Sequence, residues 1–168
     1  MKVLVAAALM TVTVLGCATI PQTRVYREAE GTMSDHVCIL PVLDSTPERS
    51  VTQAALNSLR KDLSTSLEET KRFRSIQLTD KLGPSRATLL QCRITQCDPS
   101  ARRMSVVVEM RSADSAQPFI RLVAHTELVS IAWPVDYIAV MERAGKAVAN
   151  DLAKSIVGIY DEGKTISK

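Results

Sequence analysis

Two stretches with apolar residues at helical spacing flank a central region in which apolar and polar residues alternate. In the first stretch Leu56, Leu59, Leu63 and Leu67 recur at steps of three and four, which places them on one face of a helix. A capping-box pattern, Ser50-Val51-Thr52-Gln53, predicts that this helix begins with Ser50 as its cap. The second stretch continues the same spacing through Met141, Ala144, Val148, Leu152, Ile156 and Ile159. Each helix therefore has one apolar stripe to bury against another layer.

Five segments have the alternation or apolar run of a β-strand. The segment 36–43 precedes the first helix, and the segments 73–78, 87–95, 104–110 and 119–131 lie between the two helices. Pro41 lacks an N–H, so it predicts an edge or a bulge in the first of them. Turn residues join the last three into an antiparallel meander. The predicted fold is an α+β two-layer sandwich of order β-α-β-β-β-β-α, with a mostly antiparallel sheet and two helices on one face. The other sheet face is expected to stay partly polar.

The amino terminus, MKVLVAAALMTVTVLGC, has the pattern of a bacterial lipoprotein signal ending in a lipobox. Lys2 precedes an uncharged run from Val3 to Leu15, and this core of ~13 residues is too short for a spanning helix, which needs about 20. Cleavage before Cys17 would expose the thiol that accepts the lipid. An ordinary secretory signal with an incidental cysteine is the alternative. Ala18 after the lipidated cysteine favours the outer membrane, with the protein anchored in the inner leaflet and facing the periplasm.

The predicted organisation is a signal peptide over 1–16, the lipidated Cys17 with a flexible tether over 17–35, one domain over 36–163, and a polar tail over 164–168. The tether is assigned because Pro21, Gly31 and many polar residues interrupt any apolar period. A formal net charge of +3 and an aromatic content of 4% do not favour a nucleic-acid partner.

If Cys17 carries lipid, three of the four cysteines remain, and at most one disulfide can form among them. Cys92 and Cys97 on one extended strand would be about 16 Å apart, beyond the ~7 Å that a disulfide spans. Cys38 with either of the two is the feasible pair, and a buried unpaired thiol is the alternative.

Residues with catalytic chemistry do not form a clear site in the sequence. His36 with Cys38, Cys92 and Cys97 could supply zinc ligands, but the Cys-x4-Cys spacing is not that of a zinc knuckle. A thiol at Cys38 or Cys97 could pair with His125, and Glu127 would share the imidazole's strand face. A solvated polar strand face explains these residues more simply. We therefore expect no enzyme activity, no metal, and no cofactor other than the covalent lipid on Cys17.

The segments Cys38-Ile39-Leu40-Pro41-Val42-Leu43-Asp44-Ser45-Thr46 and Lys71-Arg72-Phe73-Arg74-Ser75-Ile76 resemble the opening strand and the second strand of a class of bacterial envelope proteins. This class contains the amino-terminal domain of TolB, the curli secretion lipoprotein CsgG and the penicillin-binding-protein activator LpoB. The resemblance implies a protein without catalytic residues that binds other proteins or assembles into rings.

The resulting hypothesis is a non-enzymatic lipoprotein that binds or regulates an envelope complex in wall synthesis, secretion or flagellar machinery. The alternatives are a subunit of an oligomeric outer-membrane ring or pore, in which residues 104–131 would insert, and a hydrolase or metal protein. The expected partners are the membrane, through the lipid, and an envelope protein, and a homo-oligomer is allowed. The candidate partner-binding residues are Arg102, Arg103, Arg121, His125 and Glu127.

Overall fold

The computed structural model describes residues 18–81, 86–98, 103–129 and 137–166. The predicted signal peptide, Cys17 and Arg102 lie outside these residues. The elements in chain order are β1 (Ala18–Arg27), β2 (His36–Ile39), β3 (Leu43–Asp44), α1 (Gln53–Glu69), β4 (Ser75–Leu78), β5 (Thr88–Asp98), β6 (Arg103–Ser112), β7 (Ile120–Val129) and α2 (Tyr137–Ile166). No described helix is long and apolar enough to cross a membrane.

All seven strands belong to one mixed sheet in the order β1-β7-β6-β5-β2-β4, with β3 pairing β5 beside this path. The meander predicted for β5, β6 and β7 is confirmed, because these long strands pair antiparallel in sequence. The short strand β2 pairs parallel with β5 on one side and with β4 on the other. Helix α1 connects the first parallel strands, as a crossover between parallel neighbours requires.

Both helices cover the same face of the sheet, as predicted, and enclose a single main core with it. The leucines of α1 at positions 56, 59, 63 and 67 are all buried. In α2 the buried residues that join the same core are Ala144, Val148, Ala149, Leu152, Ala153, Ile156 and Ile159. The sheet contributes alternate residues of β5, β6 and β7, including Cys92, Ile94, Val106, Val108, Leu122 and Ala124. The alternation in the sequence therefore identified the core face correctly.

Helix α1 begins two residues later than the capping box predicts. Its N-cap is Thr52, whose hydroxyl accepts the N–H of Ala55 at 3.3 Å. Before the helix, the Ser50 N–H donates to the Thr46 hydroxyl at 3.3 Å, and the Val51 N–H donates to the Asp44 carboxylate at 2.9 Å. The loop between β3 and α1 therefore folds around the Asp44 carboxylate, which binds both Thr46 and Val51.

The flexible tether predicted over 17–35 is wrong for residues 18–27, which form strand β1 along the free side of β7. Its contacts with α2 are polar: the Thr23 hydroxyl donates to Asp151 at 2.5 Å, and Arg27 pairs with Glu162 at 2.6 Å. A strand held to a helix in this way has no apolar period, so the pattern of the sequence did not identify it. The backbone N–H groups of Glu28 and Ala29 then donate to the carbonyl of Phe119.

The segment predicted as one strand over 36–43 is divided at Pro41. Strand β2 ends at Ile39, and β3 resumes at Leu43 with a different part of β5 as its partner. Pro41 has no N–H for the ladder, and its carbonyl accepts a hydrogen bond from Gln91 Nε2 at 2.7 Å. The expected irregularity at this proline is confirmed.

Cys38, Cys92 and Cys97 are free thiols, so the unpaired alternative holds and the feasible disulfide of Cys38 does not form. Cys38 pairs in register with Leu89, whereas Cys92 lies three residues further along β5 and faces the helices. Successive residues of a strand face opposite sides, which places Cys38 and Cys92 on opposite faces of the sheet. Cys38 packs in a small separate cluster with Leu40, Ala87 and Leu89.

Candidate functional site

The sheet face opposite the helices is polar along its four long strands, as the alternation predicted. We call this surface the open face. Register aligns its residues in rows across the strands. One row contains Ser105, His125 and Gln22, and the next contains Arg103 and Glu127. The open face therefore collects side chains from β1, β6 and β7 that are far apart in sequence.

One half of the open face is a network of ion pairs centred on Arg121. Its guanidinium lies 3.0 Å from Glu28 and 3.6 Å from Glu109. Glu109 also binds Arg93 at 3.0 Å. The network bridges β5, β6, β7 and the end of β1, and its partial exposure limits its contribution to stability to about 1 kcal/mol per pair or less. Arg121 is therefore a surface residue whose charge is balanced by neighbouring carboxylates.

The other half of the open face contains a pocket with a volume of about 410 Å³. We call it the polar pocket, and its lining residues are Gln22, Gln96, Arg103, Met104, Ser105, His125, Thr126 and Glu127. The volume lies within the range of about 300–1,000 Å³ that is usual for small-molecule sites. The structure thus brings together three of the predicted partner-binding residues, Arg103, His125 and Glu127. Arg121 belongs to the separate ion-pair network, and Arg102 is outside the described residues.

Two opposite charges stand at one side of this pocket. The Arg103 guanidinium lies 3.5 Å from a Glu127 oxygen, and the two side chains remain 56% and 63% exposed. Such a loose, solvated pair is weak. A ligand can therefore replace either partner of this ion pair at little cost in free energy.

A chain of hydrogen bonds fixes the neighbouring imidazole. The Ser105 hydroxyl donates to Gln96 Oε1 at 3.2 Å and lies 2.8 Å from His125 Nδ1. Because the hydroxyl has one proton, donation to Gln96 leaves it to accept from Nδ1–H, and Nε2 of the neutral ring is then an acceptor. Ser105 is 4% exposed, so the chain serves to orient the exposed imidazole.

Thr126 lies on β7 between two residues of the polar pocket, but its side chain faces the helices, because it pairs in register with the core residue Met104. It is 3% exposed, and its buried hydroxyl has no hydrogen-bond partner within the described chain. A buried hydroxyl normally has a partner, so each exception calls for a physical reason. The sequence did not indicate Thr126, since a β-branched residue between polar neighbours is ordinary in a strand. Gln22 was missed because it belongs to the segment predicted as a tether, and Gln96 because a register shift between Ile94 and Gln96 determines where it lies.

The described structure does not bring together the Cys–His pair or the His and Cys zinc ligands considered from the sequence. Cys97 lines a second cavity of about 310 Å³ on the helix side, with Val51, Leu59 and Met104, whereas His125 lies in the polar pocket. Burial raises the pKa of the Cys92 thiol to about 12 and raises that of Cys38 as well. His36 Nδ1 is 2.7 Å from the Ser75 hydroxyl. Among the residues that the structure describes, no group of three or more His, Cys, Asp or Glu side chains could hold a metal ion.

A second polar cluster joins the end of α2 to the start of β2. The Tyr160 hydroxyl donates to Asp35 at 2.5 Å, and the Lys164 ammonium lies 3.3 Å from the same oxygen and 4.5 Å from the Tyr160 ring centroid. The hydrogen bond from Tyr160, followed by that from Lys164, lowers the pKa of Asp35. The cluster connects the carboxyl-terminal part of α2 to the residue that precedes β2.

Comparison with known proteins gives likeness of structure only. No family model matches the chain, and no curated protein matches its sequence. The PelC dodecamer from Paraburkholderia phytofirmans has a similar structure, with a TM-score of 0.52 and 12% identity over 80% of this chain and 98% of that one. Protein XCC0632 from Xanthomonas campestris has a TM-score of 0.57 and 10% identity, over 83% of this chain and 97% of that one.

A Helicobacter pylori protein, described as a homolog of the neuraminyllactose-binding hemagglutinin, is also similar. Its TM-score is 0.51 with 11% identity, over 84% of this chain and 94% of that one. At these identities the similarity establishes a shared fold. None of the three is described as an enzyme.

Proposed function

We propose that the chain is a lipid-anchored, periplasm-facing protein of the bacterial outer membrane that acts by binding an envelope protein. The observation that carries the proposal is the open face, a broad polar sheet surface that neither helix covers. The pattern of a lipoprotein signal, which ends in a lipobox at Cys17, precedes this domain in the sequence. The resemblance to TolB, CsgG and LpoB supports a binding role in wall synthesis, secretion or flagellar machinery.

The contact with this protein partner is assigned to the half of the open face around Arg121. Tyr26 lies directly opposite Arg121 in register and is 45% exposed. Tyrosine and arginine are enriched among the residues that dominate protein interfaces, because each offers a large contact area with a polar end. The balanced charges of Glu28 and Glu109 hold Arg121 in place, so little conformational entropy is lost when a partner binds.

The anchor is tested by labelling cells with palmitate. The protein should incorporate label and fractionate with the outer membrane, and Cys17→Ser should abolish both. A labelled Cys17→Ser protein, or an unlabelled native one, would remove the anchor from the proposal.

The binding surface is tested by a photo-crosslinking residue at position 26 or 27 in cells. Tyr26 belongs to the open face, whereas its neighbour Arg27 pairs with Glu162 of α2 and is the matched control. A heterologous product from position 26 that disappears in Arg121→Glu is expected. The same product from both positions, or one insensitive to Arg121→Glu, would contradict the assignment.

A ring subunit is the second candidate, and the two outer strands of the sheet favour it. Large apolar side chains are exposed on both edges: Val25 and Tyr26 on β1, each 45% exposed, and Leu78 on β4, 49% exposed. Exposed edges are templates for pairing with another chain, and two different edges on one subunit generate a head-to-tail ring when the rotation closes. PelC, which shares the fold, is a dodecamer.

Disulfide trapping separates the two candidates. In a head-to-tail ring, Tyr26→Cys together with Leu78→Cys should give a ladder of oligomers under mild oxidation, while either substitution alone should not. Light scattering of the detergent-extracted protein supplies the native mass. A monomer without a ladder would eliminate the ring.

A further inference from the structure

The polar pocket lies close to the residue that is predicted to carry the lipid. Strand β1 begins at Ala18, one peptide bond after Cys17, and Ile20 pairs with Glu127. Two residues of strand span about 7 Å, so Glu127 is held at about that distance along the sheet from Ala18. Arg103 is on β6, two strand spacings or about 10 Å to the side of β1. Both residues are therefore within about 12 Å of Ala18, the residue that follows the predicted lipid-bearing cysteine.

This distance is short enough for the two long side chains to reach the membrane surface. The headgroup region of a bilayer extends about 5–8 Å beyond the hydrocarbon on each side. A flexible segment of 18 residues could have separated the domain from the membrane by up to about 60 Å. Because residues 18–27 are instead a strand of the sheet, a lipid on Cys17 would hold this end of the domain, with the polar pocket, at the headgroups.

The chemistry of the pocket matches a zwitterion. Arg103 provides donors for a phosphate, and Glu127, 3.5 Å away, provides acceptors for an ammonium. Gln22 and His125 add neutral groups from the adjacent row.

We infer that the polar pocket binds the phosphoethanolamine headgroup of a membrane lipid, with Arg103 on the phosphate and Glu127 on the ammonium. The inference rests on the lipid anchor of the proposed function for the position of the pocket. Its role is to fix the orientation of the domain on the membrane, so that the half of the open face around Arg121 points toward the periplasm.

The test uses the mature chain 17–168 without acylation, which contains every described element of the fold. Its binding is measured by flotation with vesicles of phosphatidylcholine alone, or with added phosphatidylethanolamine or phosphatidylglycerol. We expect at least about fivefold stronger binding to the phosphatidylethanolamine vesicles than to phosphatidylcholine, whose quaternary ammonium has no N–H to donate to Glu127. Arg103→Ala and Glu127→Gln should each reduce this binding about fivefold.

The matched control is Arg27→Ala, which removes an equally exposed arginine from an Arg–Glu pair at the other end of β1. It should bind like the native chain. Arg103→Lys, which keeps the charge, serves as a second variant, and thermal unfolding verifies that each variant is folded. In NMR spectra, glycerophosphoethanolamine should shift the resonances of Arg103 and Glu127, while inorganic phosphate alone should not.

Three results would overturn the inference. Equal binding to all vesicles would show no headgroup recognition. A preference for phosphatidylglycerol that is insensitive to Glu127→Gln would show attraction to anionic surfaces only, and equal shifts with inorganic phosphate would show a phosphate site without the ammonium contact. Since the chain is not acylated, these results are independent of palmitate labelling, and failure of the anchor is recognised separately.

Discussion

Two buried threonines of the sheet, Thr126 and Thr88, are expected to respond in opposite ways to substitution by valine. Both are on strands of the sheet, with exposures of 3% and 2%. The Thr88 hydroxyl accepts the N–H of Ser34 at 2.8 Å, whereas the Thr126 hydroxyl has no partner in the described part of the chain. Valine replaces the hydroxyl by a methyl group of similar size and keeps the β-branched shape, so the hydrogen bond is the main variable.

The magnitudes follow from the cost of an unsatisfied polar group. A buried donor or acceptor without a partner costs about 1–3 kcal/mol, and a satisfied hydrogen bond contributes about 1 kcal/mol net. Thr126→Val removes the unsatisfied hydroxyl and should raise the free energy of unfolding by about 1 kcal/mol. Thr88→Val leaves the Ser34 N–H without its acceptor and should lower it by about 1–2 kcal/mol.

Urea denaturation of the mature chain, with the same m-value for all three proteins, measures these differences. In thermal unfolding each kcal/mol corresponds to a shift of about 2–4 °C for a chain of this size. Two shifts of the same sign would refute the reasoning. The assignment of one satisfied and one unsatisfied hydroxyl would then be wrong.

Three further predictions concern stability and thiol reactivity. Leu63 is completely buried in α1, so Leu63→Ala should lower the free energy of unfolding by about 2–5 kcal/mol. Leu78→Ala, on the exposed edge of the sheet, should change it by no more than about 0.5 kcal/mol. Urea denaturation measures both differences. The folded-state pKa of Asp35 is lowered, so its contribution to stability is present above the ordinary aspartate value of 3.8 and is lost as pH falls through the folded value. In acid titrations, Asp35→Asn should therefore lose less stability below about pH 4 than the native chain does. An unchanged profile would contradict this. Cys92 is fully buried with a pKa of about 12, and Cys97 is partly exposed, so mass spectrometry after alkylation of the folded protein should find label on Cys97 well before Cys92.

The elements with an apolar period could be predicted from the sequence, and those held by polar contacts could not. The leucine stripe of α1 and the alternation in β5, β6 and β7 arise from burial of one face, which is a local property of the chain. Strand β1 has no such signature, because Thr23 and Arg27 bind α2 through Asp151 and Glu162. Those partners are more than a hundred residues away in the sequence, so they produce no recognisable pattern in the residues of β1.

The candidate site shows the same division. Alternation along β7 correctly placed Arg121, His125 and Glu127 on one polar face, but it gave no distance between them. Register separates Arg121, in the ion-pair network, from His125 and Glu127 in the polar pocket. The two glutamines of the pocket were not identified, because Gln22 comes from the missed strand and Gln96 follows an irregularity in β5.

By itself the sequence determined the number and faces of the helices, the meander and the two-layer arrangement, and it indicated a lipobox. Periodicity and a short apolar signal depend only on residues that are close together in the chain. Only the tertiary structure decided that the segment after Cys17 is a strand rather than a tether, and which polar residues meet at its beginning. The physical reason is that strand pairing and polar contacts join residues distant along the chain, and their register is fixed only when the whole sheet forms.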